Sequence, residues 1–190
     1  MKNIILASDF SENARKSIVY AIELFEEKDV QYTLLNVFME PQINEDILIT
    51  IKDILEKRSV DGLQKDHAFI HEQFPNKTIE IDQLSIYGRL PDVVNSLAET
   101  KEFNYVVMGK KGGATNLKIG AITKSMVQKS KTPVLIIPED AKLKPTSKIF
   151  YSIDIEADDS LLIHEIQGIA EAHNAYITML PIRPNTSDNP

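Results

Sequence analysis

An acid and a glycine-rich loop, each directly after a short apolar run, are the residues of this chain best suited to chemistry. Asp9 follows Ile4-Ile5-Leu6-Ala7 by one residue. Gly109-Lys110-Lys111-Gly112-Gly113 follows Tyr105-Val106-Val107-Met108, and Gly120 opens the next helical pattern. Glycines let a backbone approach a ligand closely and adopt positive φ. A helix N-terminus adds unused N–H groups and a partial positive charge, which suit an anion. A carboxylate at a neighbouring strand end accepts hydrogen bonds from ribose hydroxyls or a base amine. Together they describe a nucleotide site, with phosphates on the loop and the nucleoside beside Asp9. Asp9 also has a second reading, as a cap on the helix that begins near Ser11.

The remaining reactive side chains point to less. His67 and His71 stand four apart, which puts two imidazoles on one helical face. With no third ligand and no flanking Glu of a zincin motif, they read as exposed histidines rather than a metal site. His164 and His173 are isolated. The chain has no Cys, hence no thiolate nucleophile, disulfide or Cys-built metal site. Neither a Gly-x-Ser-x-Gly elbow nor a Walker lysine is present. We expect no catalytic residue and no metal.

Elements that can position Asp9 and the loop alternate along residues 1–138. Asn3–Ser8, Gln31–Phe38, Thr78–Ile86, Asn104–Met108 and Pro133–Ile137 read as strands. Between them lie helical patterns. The first runs from Ser11 with Ala14, Ile18, Ala21, Ile22 and Phe25 on one face. The second contains Ile47, Ile51, Ile54 and Leu55, and its continuation through Gly62 to about His71 stays open. Pro91–Lys101 and Ile119–Ser130 complete the set. Such alternation implies an α/β fold with a parallel sheet and helices on both faces. Ligands of such sheets bind beyond the C-terminal ends of the strands, where the strand order reverses.

Composition agrees with a globular chain. Of 190 residues, 43% are apolar and 26% charged, which excludes a mainly disordered protein. A net charge of −7 argues against nucleic acid as a partner. Seven lysines face one acid within residues 101–132, a local excess suited to one small anion. The apolar stretch at the N-terminus is too short for a signal peptide, and nowhere do about 20 apolar residues run together. We expect a cytoplasmic protein without a membrane partner.

The C-terminal segment repeats the opening at an offset of 145, without gaps. Ile4-Ile5-Leu6 lies over Ile149-Phe150-Tyr151, Asp9 over Asp154, Ile18 over Ile163, and Leu35 over Leu180. The expected organisation is therefore a domain at 1–138, a Lys- and Pro-rich linker at 139–147, a partial β-α-β repeat at 148–183 and a tail at 184–190. A β-α-β unit cannot close a core alone, so we expect it to borrow surface, most simply in a homodimer.

Several of these segments resemble the universal stress protein family, over residues 1–138. They are Ile4–Ala14, Gly88 with Pro91, Tyr105–Gly109 and Thr132–Pro138. The partial repeat resembles the family's tandem form. The resemblance implies a five-stranded parallel sheet of order 3-2-1-4-5, with dimers formed through fifth strands. It also implies an adenine-nucleotide site such as one for ATP. In that site Asp9 contacts the nucleoside and Val37 abuts the base. The backbone at Met108, Gly109, Gly112, Gly120, Ala121 and Ile122 holds phosphates. On their own pattern, Val37 and Met108 are strand-core residues.

The family's phosphate pattern is Gly-x2-Gly-x9-Gly-Ser/Thr. Here seven residues separate Gly112 from Gly120, and Ala121 stands at the hydroxyl position. We therefore expect a nucleotide-like crevice of altered affinity in a stress-response regulatory module. The alternatives are a scaffold that binds no nucleotide and acts through dimerisation and partners, or a slow ATPase.

Overall fold

Lys2–Ala7 forms strand β1, and Ile4, Ile5 and Leu6 are sealed from solvent, as a strand covered on both faces requires. The computed structural model describes residues 1–26, 29–39, 48–110, 120–142, 147–154 and 160–182. They belong to two compact units, Met1–Leu143 and Lys144–Pro190.

In the first unit α1 (Glu12–Leu24) follows β1, capped by Ser11, whose Oγ accepts the Ala14 N–H at 3.1 Å. Its expected inner face, Ala14, Ile18, Ala21, Ile22 and Phe25, is buried throughout. Then come β2 (Val30–Phe38), α2 (Leu48–Gln73), β3 (Ile81–Tyr87), α3 (Leu90–Thr100), β4 (Tyr105–Gly109), α4 (Ala121–Lys129) and β5 (Val134–Ile137). The strands form one parallel sheet in the order β3-β2-β1-β4-β5. Order therefore reverses between β1 and β4, the neighbours whose ends carry Asp9 and Gly109.

One point the sequence left open is settled, and one strand start moves by three residues. Helix α2 is continuous through Gly62, and a β-carbon there would strike the Phe10 ring, which accounts for the glycine. The glycine serves packing and does not break the helix. Strand β3 starts at Ile81 rather than Thr78, since its pairing with β2 begins at Tyr32. On one face of the sheet Ile5, Ala7, Leu35, Val106 and Met108 pack with Val93 and Val94 of α3 and Met126 of α4. The alternate residues Ile4, Leu6 and Leu34 are buried on the opposite face.

The second unit contains β6 (Lys148–Asp154), α5 (Ser160–Ala172) and β7 (Tyr176–Ile182), with the strands paired in parallel. Asn174, at φ +50°, ends α5, and the Ala175 N–H returns to the Ala170 carbonyl at 2.8 Å. Ile4 pairs with Tyr32 and Ile149 with Ile177, each partner 28 positions on (32 − 4 and 177 − 149). Both strand pairs thus share one register under the 145-residue offset. Among the described residues no helix is long and apolar enough to cross a membrane.

Candidate functional site

The C-terminal ends of β1, β2 and β4 and the N-termini of α1 and α4 enclose a cleft of about 540 Å³. That volume lies within the range of small-molecule sites. Ala7, Leu35, Val37, Leu90 and Met108 supply its apolar lining, and Ser8, Asn13, Asn36 and Thr123 polar groups. Of the residues expected from sequence, Asp9, Val37, Met108, Gly109, Gly120, Ala121 and Ile122 all line this one cleft. Gly112 lies outside the described residues, as do Lys111, Gly113 and Lys118, so the length difference of the loop has no structural description.

Asp9 is exposed, and its Oδ1 accepts the Ser11 N–H at 3.1 Å. The two sequence readings of Asp9 thus divide between two residues. Ser11 caps α1, while Asp9 closes the turn that delivers the cap.

That turn is held from below. The Ser8 hydroxyl donates to Asp66 Oδ2 at 2.6 Å and accepts the Phe10 N–H at 3.0 Å. The Ser8 carbonyl accepts from the Asn36 side-chain amide at 2.7 Å, and the Ser8 N–H donates to the Leu35 carbonyl at 2.9 Å. Phe10 has φ +65°, a left-handed conformation that costs a bulky residue of order 1–3 kcal/mol. Its ring rests against Gly62 of α2.

On the opposite side of the cleft, Gly109 ends β4 with no room for a side chain. A β-carbon there would lie 2.8 Å from Asn13 Nδ2 and 3.0 Å from the Asn13 carbonyl oxygen. The Asn13 side-chain amide donates to the Lys110 carbonyl and ties the start of the loop to the first turn of α1. Asn13 Oδ1 is buried and has no hydrogen-bond partner among the described residues.

Gly120 is the N-cap of α4 in extended backbone and supplies no side-chain cap. The first bond within the helix runs from Lys124 N–H to the Gly120 carbonyl at 2.9 Å. The N–H groups of Ala121, Ile122 and Thr123 therefore have no acceptor within the helix, and all three residues line the cleft. They form the positive end of the helix dipole. At the rim stand Glu12 and Glu139. Glu12 bonds Lys16 at 3.0 Å and raises its ammonium pKa, first through that hydrogen bond and then through its charge.

Sequence reasoning missed Ser8, Asn13, Asn36, Leu90, Thr123 and Glu139. Only Thr123 carried a usable signal, as a hydroxyl in the first turn after Gly120. Ala121 leaves its own position without a hydroxyl, and Thr123, two residues on, is buried and lines the same cleft.

His67 and His71 meet at 3.3 Å between their Nε2 atoms. Burial, and then the neighbouring His71, lower the pKa of His67. Among the described residues no group of three metal-ligating side chains forms, so the pair has no completed metal site.

No curated protein matches the chain significantly. A universal stress protein structure from Archaeoglobus fulgidus is 14% identical, with a TM-score of 0.71, over 97% of this chain and 68% of that one. Universal stress protein UspA from Lactobacillus plantarum is 16% identical, with a TM-score of 0.60, over 72% of this chain and 97% of that one. A family protein from Arabidopsis thaliana, solved with AMP bound, is 14% identical, with a TM-score of 0.51, over 74% and 94%. At such identities these likenesses show the fold. The model of the universal stress protein family matches residues 1–138, nearly the whole of the first unit. On that match, and on a sheet of order 3-2-1-4-5, this chain belongs to the universal stress protein family.

Proposed function

We propose that the first unit binds an adenine nucleotide in the cleft and that the chain serves as a stress-response regulatory module rather than an enzyme. The observation that carries this reading is convergence: Asp9 and the three α4 residues whose N–H groups have no helical acceptor line one cavity. In the proposed mode, Asp9 accepts from the ribose, and the base lies against Val37, with Leu35 and Met108 beneath. The phosphate meets the N–H groups of Ala121, Ile122 and Thr123, with Gly109 and Gly120 as the backbone that approaches it. A monophosphate needs little more, and AMP bound to the Arabidopsis relative agrees with that choice. Phosphoryl transfer would need a metal clamp and a group that positions water.

Binding and release of the nucleotide would then be the regulatory event. Titration calorimetry of the full chain with AMP, ADP and ATP tests this. The reading expects saturable one-site binding that Asp9→Ala weakens; no heat with any of the three would refute it.

We further propose that residues 148–183 are a partial second copy of residues 1–38, joined by 139–147, and that the chain forms a homodimer. The shared strand register and the match of 97% of the chain to the Archaeoglobus fulgidus structure support the copy. Exposed Phe150, Met179 and Leu180 support self-association.

A further inference from the structure

One ionisable side chain of the first unit is sealed from solvent and does not line the cleft. Asp66, in the middle of α2, is fully buried. A buried carboxylate is costly unless its oxygens are paired, and here both are. Oδ1 accepts from Arg15 Nε at 2.7 Å, and Oδ2 from the Ser8 hydroxyl at 2.6 Å. Arg15 is steadied by the Phe69 ring, 5.4 Å from its guanidinium carbon. An apolar side chain would fill this space without needing partners. The use of a carboxylate therefore asks for a reason.

The reason lies in the Ser8 rotor. A hydroxyl has one proton and two lone pairs. With its proton drawn inward to Asp66, Ser8 Oγ must turn a lone pair outward, and there it receives the Phe10 N–H at 3.0 Å. That bond holds Phe10 at φ +65°, a conformation the residue would otherwise leave. Asp9 is the next residue back along the chain, and its Oδ1 closes the same turn on Ser11. A chain of hydrogen bonds thus runs from the interior of α2 to the backbone that presents Asp9.

We propose that Asp66 is a positioning residue for ligand binding. It fixes the Asp9–Ser11 turn through Ser8 and Phe10, 57 positions away in sequence from Asp9, without touching the ligand. The proposal rests on the nucleotide reading of the cleft. In structural terms, helix α2 sets the geometry of the nucleoside end of the site.

The test is AMP calorimetry on the full chain with Asp66→Asn and, as a milder probe of the same link, Ser8→Ala. Each is expected to weaken AMP about tenfold, the scale of one lost hydrogen bond that orders a ligand contact. In an Asp9→Ala background Asp66→Asn should not weaken it further, because Asp66 acts only through that turn. A merely structural role would cost affinity equally in both backgrounds and would overturn the proposal. Unchanged affinity in Ser8→Ala and Asp66→Asn would do the same. If the unaltered chain binds no AMP, the nucleotide reading falls, and hydrogen exchange at the Phe10 amide decides the positioning claim. Faster exchange in Asp66→Asn supports control of the turn by Asp66, and unchanged exchange in that variant contradicts it.

Discussion

Each unit holds a β-α-β element with its strands paired in parallel and in matching register, in different surroundings. Positions related by the 145-residue offset show what the surroundings do. Ile5 is 0% exposed and Phe150 63%; Leu34 is 0% and Met179 51%; Leu35 is 0% and Leu180 48%. Register is the same in both pairs, so pairing is not the cause. In the first unit β1 lies between β2 and β4, and residues of both its faces are buried. In the second, β6 alternates: Ile149, Tyr151 and Ile153 are buried or half-buried, whereas Lys148, Phe150 and Ser152 are exposed. Local sequence specifies strand, helix and register, and burial comes from the neighbours. The site follows the same rule. Its acid sits at the end of a strand that has a counterpart in the second unit, but the N–H groups proposed to meet the phosphate come from α4, beyond β4.

The largest expected contrast is in stability. Ile5→Ala should destabilise the first unit by about 2–5 kcal/mol, the range for truncating a sealed core side chain. Phe150→Ala, at the matching position, should stay within about 0.5 kcal/mol at protein concentrations where the chain is monomeric. Urea denaturation followed by circular dichroism reads both, and equal losses would break the comparison.

Ligand binding gives the next contrast. Asp9→Ala should weaken AMP by roughly ten- to a hundredfold, the loss of a hydrogen bond to a charged group. Asp154→Ala, at the aligned position, should leave the AMP affinity unchanged. If both substitutions weaken binding alike, the site is not confined to the first unit. For assembly, Phe150→Asp with Leu180→Asp should raise the dimer dissociation constant by about tenfold or more, as for the loss of a central apolar contact. Sedimentation equilibrium measures it, and a sedimentation profile unchanged by the substitutions would remove this face from the account of assembly.

The smallest effect concerns α2, which has no counterpart among the described residues of the second unit. Burial and His71 hold the His67 pKa below its ordinary value of 6.5. The unfolded chain then takes up its proton first as pH falls. The stability contribution is intact above about pH 6.5 and declines as pH drops from there toward the lowered value. His67→Gln should flatten that decline in thermal melts between pH 7 and 5; an unchanged slope would assign it to other groups.

The fold was legible in sequence because each element carries its own pattern, the apolar runs of β1 and β4 and the helical face Ala14–Phe25 above all. The convergence of Asp9 with the end of β4 was legible too, since parallel α/β topology brings successive strand ends to one edge. The continuity of α2 was not, because Gly62 looks like a breaker until the Phe10 ring is seen against it. Asp66, Asn13 and Asn36 were equally silent. Their roles rest on contacts across 28 to 97 positions, which no local spacing encodes.

The central claim, a nucleotide held between the Asp9 turn and the N-terminus of α4, is tested most directly by a crystal of the full chain grown with AMP. The account predicts difference density for the nucleotide in that cleft, with ribose against Asp9 and phosphate within hydrogen-bond reach of the Ala121–Thr123 N–H groups. An empty cleft at saturating AMP, or a nucleotide bound elsewhere, would contradict it.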